Sequence, residues 1–291
     1  MLKIVQITDP VCTWCYGNEP QTRAIAFLYD AQCKYLMGGL VEDIRNFYDA
    51  HNAIGGTDIA ATNAAIIAHW REASARHKMP VTSGAFCLLS EQYPSTWPQN
   101  IAYKAAQIAA TEHAEAFLRN MRVATALHGK ITSKTETLVE IASETGMDIA
   151  AFINALDSQQ AKDAFQQDRQ LIAQLGVNGF PAFLIQYKDK SVLLKGYQSL
   201  ENFQAVIKML GGGSQEAVFN ENEIMRYLQK FKKAFLCEIE ICFAQSPESC
   251  LQLLEQLQAQ GKINISKVEN TFEICISHAG TCRSGACALT S

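Results

Sequence analysis

Two cysteines near the start of the chain have the spacing of a redox-active dithiol. Cys12 and Cys15 are separated by two residues and follow the apolar run at residues 2–7, a pattern typical of a strand that ends where a helix begins. The N–H groups and the dipole at a helix N-terminus favour an anion, so we predict that Cys12 is the exposed, acidic thiol and Cys15 the buried one. Cys15 would then resolve a mixed disulfide formed at Cys12.

The same spacing also supplies half of a zinc site. No second cysteine pair lies close to the first in the sequence, and the change from strand to helix suits thiol exchange better than metal binding. We therefore expect a redox pair and no metal site, with inert thiols as the remaining alternative.

Two residues after the cysteine pair extend this prediction. Glu19 lies four positions beyond Cys15, on the same helix face, where a partly buried carboxylate would take the proton of the second thiol. The alternative is a solvated carboxylate that the helix dipole favours. Pro20 is expected to kink the helix.

The composition argues for a globular protein. A chain of 291 residues with 48% hydrophobic residues can bury one or two cores. The formal net charge of −4 argues against binding to nucleic acid or to an acidic membrane. No apolar run approaches the ~20 residues of a membrane span. The first strand follows Met1 directly, without a secretion signal, which predicts a cytoplasmic protein.

The order of predicted elements places a helical segment between two β-rich parts. Residues 34–40 predict a second strand, and residues 57–175 show helical periodicity with almost no strand signal. Residues 181–187 and 191–196 predict a hairpin, and an amphipathic helix follows it and ends at the glycines 211–213.

The last part of the chain predicts a separate small α/β unit. Helices are expected at 222–234 and 247–260, and strands at 237–243 and 272–276.

The tail beyond them carries Cys282 and Cys287 on a glycine-containing segment. This pair is either a second redox or shuttle pair, a soft-metal site together with His278, or two ordinary thiols.

Taken together, these motifs resemble the DsbA-like branch of the thioredoxin superfamily. A glutamate four residues after the second cysteine is a DsbA-like feature, and a proline five residues after it is a feature of thioredoxin. In particular, the chain resembles the predicted protein-disulfide isomerases akin to FrnE-type proteins, over about residues 1–211. The residues that carry this resemblance lie at 9–17, 37–40, 103–107 and 176–181.

This resemblance implies a thioredoxin fold with a helical domain inserted before the cis-proline strand, followed by the small C-terminal α/β unit. The corresponding divisions are 1–40 for the first part of the thioredoxin fold, 41–175 for the inserted helical domain, 176–213 for the second part of the fold, and 214–291 for the unit with the cysteine tail.

The family has a cis-proline beside the redox cysteines, and Phe180-Pro181 matches that position. The resemblance therefore implies that Trp14, Phe180 and Pro181 bind substrate, with the backbone of Phe180 pairing with an extended segment. An ordinary trans proline at a strand start is the alternative. DsbA has a histidine inside its motif where this chain has Thr13-Trp14, so strong oxidase character is not implied.

The predicted function is that of a thiol-disulfide oxidoreductase or isomerase, with Cys12 as nucleophile, Cys15 as resolving thiol and no cofactor. Its expected partners are protein thiols and disulfides together with a cellular thiol reductant. A different class, a thioredoxin-fold adaptor that presents a regulator to a protease as Spx-type adaptors do, is the main alternative. A kappa-type glutathione transferase is the third, although it has no use for a second cysteine.

Overall fold

A computed structural model describes residues 1–50, 52–84 and 86–277. The chain forms two compact units, the first from Met1 to Gln215 and the second from Glu216 onward. The predicted tail pair Cys282/Cys287, with His278, lies outside the described residues. Within the described ranges, no helix is both long and apolar enough to cross a membrane.

The first unit contains six strands and nine α-helices among its described residues. In chain order these are β1 (Leu2–Thr8), α1 (Thr13–Gly17), α2 (Glu19–Leu28), β2 (Gln32–Met37), β3 (Tyr48–Asp49), β4 (Ile54–Gly55), α3 (Ile59–His77), α4 (Trp97–Ala109), α5 (Thr111–Ala126), α6 (Thr135–Glu144), α7 (Ile149–Leu156), α8 (Gln159–Gln174), β5 (Ala182–Tyr187), β6 (Lys190–Lys195) and α9 (Leu200–Met209). A one-turn 3-10 helix, Ile44–Asn46, precedes β3.

A four-stranded mixed sheet in the order β2-β1-β5-β6 organises this unit. The inner strand β1 runs parallel to β2 and antiparallel to β5, with Ile7 opposite Ala182. Its two faces are both covered: Ile4 packs in a core with Phe183 and Phe203, whereas Ile7 packs with Ile172. Burial on both faces explains the nearly continuous apolar run of β1, and the strand delivers the cysteine motif at its carboxyl end.

The helical insertion has a core of its own. Phe117, Met121 and Ala124, which the sequence places on one face of a helix, are buried in α5. They pack with Phe152 and Phe165 from the neighbouring helices α7 and α8. The predicted order of strand, helix, strand, helical insertion, hairpin and helix is therefore confirmed, and the hairpin is β5–β6.

The second unit is a three-stranded antiparallel sheet in the order β7-β9-β8 with three helices among its described residues. Its elements are α10 (Glu221–Phe231), β7 (Lys233–Phe235), α11 (Leu236–Phe243), α12 (Pro247–Ala259), β8 (Ile263–Val268) and β9 (Thr271–Ile276).

The strand predicted at 237–243 is wrong, because these residues form the helix α11. The sequence alternates apolar and acidic residues there, which matches the period of a strand. The Glu238 side chain instead accepts a hydrogen bond from the backbone N–H of Phe235 at 2.7 Å and so caps the helix. Burial of Ile239, Cys242 and Phe243 follows the helical period.

A candidate dithiol site

The Cys12 sulfur lies at the start of α1 between two backbone groups. Cys12 is the N-cap residue, and its sulfur accepts a hydrogen bond from the Cys15 N–H at 3.3 Å. The thiol in turn points at the carbonyl oxygen of Phe180, 3.8 Å away. Cys12 is 7% exposed and Cys15 0%, so the prediction of an exposed Cys12 is wrong, although it is the more accessible of the two sulfurs.

The peptide bond between Phe180 and Pro181 is cis, as the resemblance implied. Pairing of β5 with β1 brings this bond beside the carboxyl end of β1. The Phe180 ring packs on Gly38, where an added Cβ would lie 2.0 Å from a ring carbon. Only glycine leaves that space, which gives a physical reason for the glycine at residue 38 in the 37–40 motif. Three segments distant in sequence thus meet at Cys12.

The pKa values of the two thiols are shifted in opposite directions. Burial raises the pKa of Cys12 well above its ordinary value, and its hydrogen bond with Cys15 acts in the same direction. Burial also opposes ionisation of Cys15, but the hydrogen bond from Cys12, the charge of Arg122 and a hydrogen bond from Thr8 outweigh it, so the pKa of Cys15 lies below its ordinary value. The pair therefore loses one proton readily and holds the other.

The prediction that Cys12 is the acidic thiol stays a prediction, because the two sulfurs share a hydrogen bond and titrate as a pair. The cation that favours a thiolate comes from α5 and acts on Cys15, whereas the helix-terminus argument considered only Cys12. The retained proton can pass between two hydrogen-bonded sulfurs, so the more accessible sulfur of Cys12 still becomes a thiolate when it attacks.

Glu19 lies in a buried cluster of charges. Its carboxylate accepts a hydrogen bond from Nη1 of Arg122 at 2.6 Å and forms an ion pair with Arg119. Both arginines come from α5. The Arg122 guanidinium also donates from Nη2 to the hydroxyl of Thr8.

The sequence predicts Glu19 on the helix of Cys15, but the structure places it at the start of the next helix, α2. The sequence also does not indicate the arginine partners of Glu19, about a hundred residues away in the chain. Two bound guanidinium groups stabilise the carboxylate and oppose transfer of a proton to it. Arg119 and Arg122 stand three residues apart among the mostly apolar buried residues of α5, which is the one signal by which the sequence could have indicated them. The relay role of Glu19 stays a prediction.

Asp9 fixes the turn that carries the cysteines. Its buried carboxylate accepts hydrogen bonds from the N–H groups of Val11 at 3.0 Å and Leu40 at 2.7 Å, and from the amide of Asn100 at 2.8 Å. Burial raises the pKa of Asp9, and these hydrogen bonds limit the increase. One side chain therefore connects the end of β1, the 37–40 motif and the helix α4.

Trp14 is partly exposed beside the dithiol and packs edge-on against Tyr197, with ring centroids 5.7 Å apart, and against His77, 6.0 Å apart. His77 is buried and accepts the N–H of Met79 on Nδ1 at 3.1 Å. Its Nε2 lies 3.5 Å from the Thr13 hydroxyl. Burial lowers the pKa of His77 to about 4, so this ring is neutral at neutral pH. Substrate binding by Trp14, Phe180 and Pro181 stays a prediction.

Within the described part of the chain, no group of three His, Cys, Asp or Glu side chains is arranged to hold a metal ion.

Comparison with known proteins agrees with this geometry. A protein family described as Thioredoxin matches residues 6–205. The ClpXP adapter protein SpxH of Bacillus subtilis is 23% identical over 277 residues, which are 92% of this chain and 86% of SpxH.

Two solved structures are similar in fold. A putative protein disulfide isomerase from Nitrosomonas europaea has a TM-score of 0.60 at 20% identity, covering 72% of this chain and 96% of its own. The cytosolic disulfide reductase DsbM from Pseudomonas aeruginosa has a TM-score of 0.53 at 20% identity, covering 66% of this chain and 89% of its own. The predicted fold is confirmed, and because the family match spans more than half of the chain, this protein belongs to the thioredoxin family.

Proposed function

We propose that this protein is a thiol-disulfide oxidoreductase that acts on cysteines of other proteins through Cys12 and Cys15. The observation that carries the proposal is the position of the Cys12 sulfur between the N–H of Cys15 and the carbonyl of Phe180. A sulfur in this position can attack a substrate disulfide while the second sulfur waits within reach.

The reaction with a substrate disulfide has two steps. The Cys12 thiolate attacks one substrate sulfur, so that a Cys12–substrate S–S bond forms, the substrate S–S bond breaks, and the second substrate sulfur leaves as a thiolate that takes a proton. Cys15 then attacks Cys12, which forms the Cys12–Cys15 disulfide and releases the remaining substrate sulfur. Two electrons pass from the dithiol to the substrate, and the reverse sequence oxidises a substrate dithiol.

The side chains around Cys12 favour a polypeptide substrate. Trp14, two residues from Cys12, and Tyr197, which packs against Trp14, offer partly exposed aromatic surface. The Phe180 backbone lies beside the Cys12 sulfur. An extended segment can form main-chain hydrogen bonds there. A cellular thiol would restore the dithiol after each cycle. We place this activity in the cytoplasm and include disulfide isomerisation, which the same two sulfurs permit.

The test uses a fluorescent peptide that contains one disulfide. The native protein should reduce it with dithiothreitol as electron source, Cys12→Ala should be inactive, and Cys15→Ser should accumulate a mixed disulfide at Cys12. Cys87→Ser is the matched control, because Cys87 is exposed and belongs to another part of the fold. Equal activity of Cys12→Ala and the native protein would exclude the proposal.

A protease adaptor is the second candidate, and the extent of the similarity favours it. SpxH aligns with 92% of this chain, which includes most of the second unit, whereas the two disulfide-exchange structures cover 72% and 66%. On this proposal the chain presents a regulatory protein to ClpXP, and the dithiol is not required for that role.

Protein turnover distinguishes the two candidates. Cells that lack this protein would be complemented with the native chain or with the Cys12→Ala/Cys15→Ala variant, and protein half-lives would be followed by pulse labelling. An adaptor requires that the variant restore turnover as fully as the native chain. If the protein acts as an oxidoreductase, the Cys12→Ala/Cys15→Ala variant should not restore protein turnover, whereas the Cys87→Ser control should restore it.

A further inference from the structure

A cavity of the first unit lies between the sheet and the helices α4, α5 and α8. Its volume is about 710 Å³, which is in the range of sites that bind ligands. The described residues that contact the Cys12 sulfur do not line it. The 103–107 motif, to which the proposed function assigns no role, contributes Tyr103, Lys104 and Gln107 to the wall.

The cavity follows the open edge of the sheet. The strand β2 lies at this edge, and its residues 32–36 all line the cavity. Successive side chains of a strand point to opposite faces of the sheet. A single cavity that touches all of these residues therefore passes around the edge, and the outer backbone groups of β2 face into it.

These outer backbone groups are satisfied at one residue and open at another. The N–H of Gly38 donates to the carbonyl of Thr8 in β1 at 2.8 Å, so the alternate residues 36, 34 and 32 also bond to β1. Met37 faces outward, and its N–H donates to the carboxylate of Asp168 at 2.9 Å. Tyr35 faces outward too, but its N–H and C=O have no hydrogen-bond partner among the described residues. An edge of this kind can pair with a further strand.

The cavity also offers two charges that no ion pair balances in the described part of the chain. Lys34 and Glu115 both line it, whereas Lys104 is paired with Asp168 at 2.9 Å. Lys34 points to the face of the sheet opposite to that of Tyr35. Tyr35 packs on the helical core to which α5, the helix of Glu115, contributes. A cation is therefore available on one face of the edge and an anion beside the other.

We propose that the edge of β2 binds an extended segment of a partner protein as a fifth strand of the sheet, with an acidic side chain opposite Lys34 and a basic side chain toward Glu115. Main-chain hydrogen bonds to Tyr35 supply affinity, and side-chain contacts supply specificity. Apolar side chains of the segment pack on the wall that includes Leu184 and Leu171, of which Leu171 is 47% exposed. This site works without the dithiol and goes beyond the proposed function.

The first experiment uses a designed probe, the fluorescein-labelled peptide Thr-Val-Glu-Lys-Val-Thr with blocked termini. Fluorescence anisotropy should show saturable binding to the native protein and equal binding to Cys12→Ala/Cys15→Ala. Two further peptides carry N-methyl groups on alternate residues, in one phase or in the other. Only one phase should abolish binding, because only alternate residues of an added strand direct their N–H groups to β2.

Reciprocal charge reversals test the two predicted ion pairs. Lys34→Glu should weaken binding of the probe about fivefold, and a probe with lysine in place of its glutamate should restore binding to this variant. Glu115→Lys should respond in the same way to a probe with glutamate in place of its lysine. The matched control is Lys190→Glu, because Lys190 is an exposed lysine on the opposite edge strand β6. It should bind the probe as the native protein does.

Amide exchange measured by NMR locates the bound peptide. The N–H of Tyr35 should exchange with solvent more slowly when the probe saturates the protein, because it gains a hydrogen-bond acceptor.

Four results would overturn the inference. No saturable binding at about 1 mM peptide, which still detects weak complexes, would show that Lys34 protects the edge from pairing. Equal weakening by Lys190→Glu would reduce the charge effect to net charge. Charge reversals that the exchanged probes do not restore, or unchanged exchange of the Tyr35 amide, would place the peptide elsewhere. None of these measurements depends on disulfide exchange, so an inactive protein that binds the probe would exclude only the proposed function.

Discussion

Buried cysteines occur in both units, and their surroundings differ. Cys15 in the first unit and Cys250 in the second are both 0% exposed. Burial raises the pKa of Cys250 to about 12 and also raises that of Cys242 on the neighbouring helix α11. The pKa of Cys15 is lowered against the same effect of burial, by Cys12, Arg122 and Thr8.

The comparison shows that burial by itself produces an inert thiol. A cysteine among apolar side chains behaves as a small hydrophobic residue. Cys15 differs because the charge of Arg122 and a hydrogen bond from Thr8 lower its pKa against the effect of burial. The proposed redox role of the first unit therefore depends on polar groups from distant parts of the chain as well as on the two cysteines.

The largest expected effect is on disulfide exchange. Cys12→Ala should lower the rate of peptide disulfide reduction to background, because the attacking sulfur is removed. Cys242→Ala and Cys250→Ala should keep the native rate. A loss of activity in either of these two variants, with the second unit still folded by circular dichroism, would contradict the comparison.

Alkylation rates sharpen the same contrast. At pH 7 a thiol with a pKa of about 12 is ionised in about one molecule in 100,000. Iodoacetamide should therefore modify the Cys12/Cys15 pair of the reduced native protein at least about a hundredfold faster than Cys250, since only the thiolate reacts. Peptide mass spectrometry after timed quenching measures both rates. Similar alkylation rates at the Cys12/Cys15 pair and at Cys250 would show that burial, rather than polar contacts, decides the reactivity of these thiols.

Removal of a buried ion-pair partner should cost more stability than removal of an exposed one. Glu19→Ala leaves Arg122 buried without its carboxylate and should destabilise the first unit by about 3–5 kcal/mol. Glu72→Ala breaks the surface pair with Arg76 and should cost less than about 1 kcal/mol. Hydrogen exchange of the α5 amides measures the first unit separately from the second. Equal losses of stability in Glu19→Ala and Glu72→Ala would mean that solvent screens the charges of Glu19 and its two arginine partners.

A smaller effect concerns pH. The folded-state pKa of His77 is about 4, below the unfolded value of about 6.5, so the unfolded chain binds a proton that the folded chain does not. This contribution to stability is intact above pH 6.5, decreases as the pH falls from 6.5 to about 4, and amounts to about 3 kcal/mol over that window. Hydrogen exchange of the native protein and of His77→Gln at pH 7 and pH 4.5 measures it. The loss of stability between the two pH values should be smaller in His77→Gln, and an equal loss would show that His77 is solvated.

Local patterns in the sequence indicate most of the fold. Apolar runs, helical periodicity and glycine positions gave the four strands of the β2-β1-β5-β6 sheet, which include the hairpin after Pro181, and the helical insertion, but not the short strands β3 and β4. They failed at 237–243, where alternating residues form α11 because a buried Glu238 caps a helix and tertiary packing selects the helical period.

The sequence by itself determined which groups are available: two sulfurs at a strand-to-helix junction, a carboxylate four residues beyond the second sulfur, and a proline at the start of a later strand. Only the tertiary structure decided which charged and polar groups surround the two sulfurs. Arg122 and Thr8 lie 114 residues apart in the chain, and no local pattern specifies that a guanidinium, a hydroxyl and a thiol will meet. Electrostatic effects act through space and increase as water is excluded, so they are fixed by the packing of α5 against the motif rather than by the order of residues.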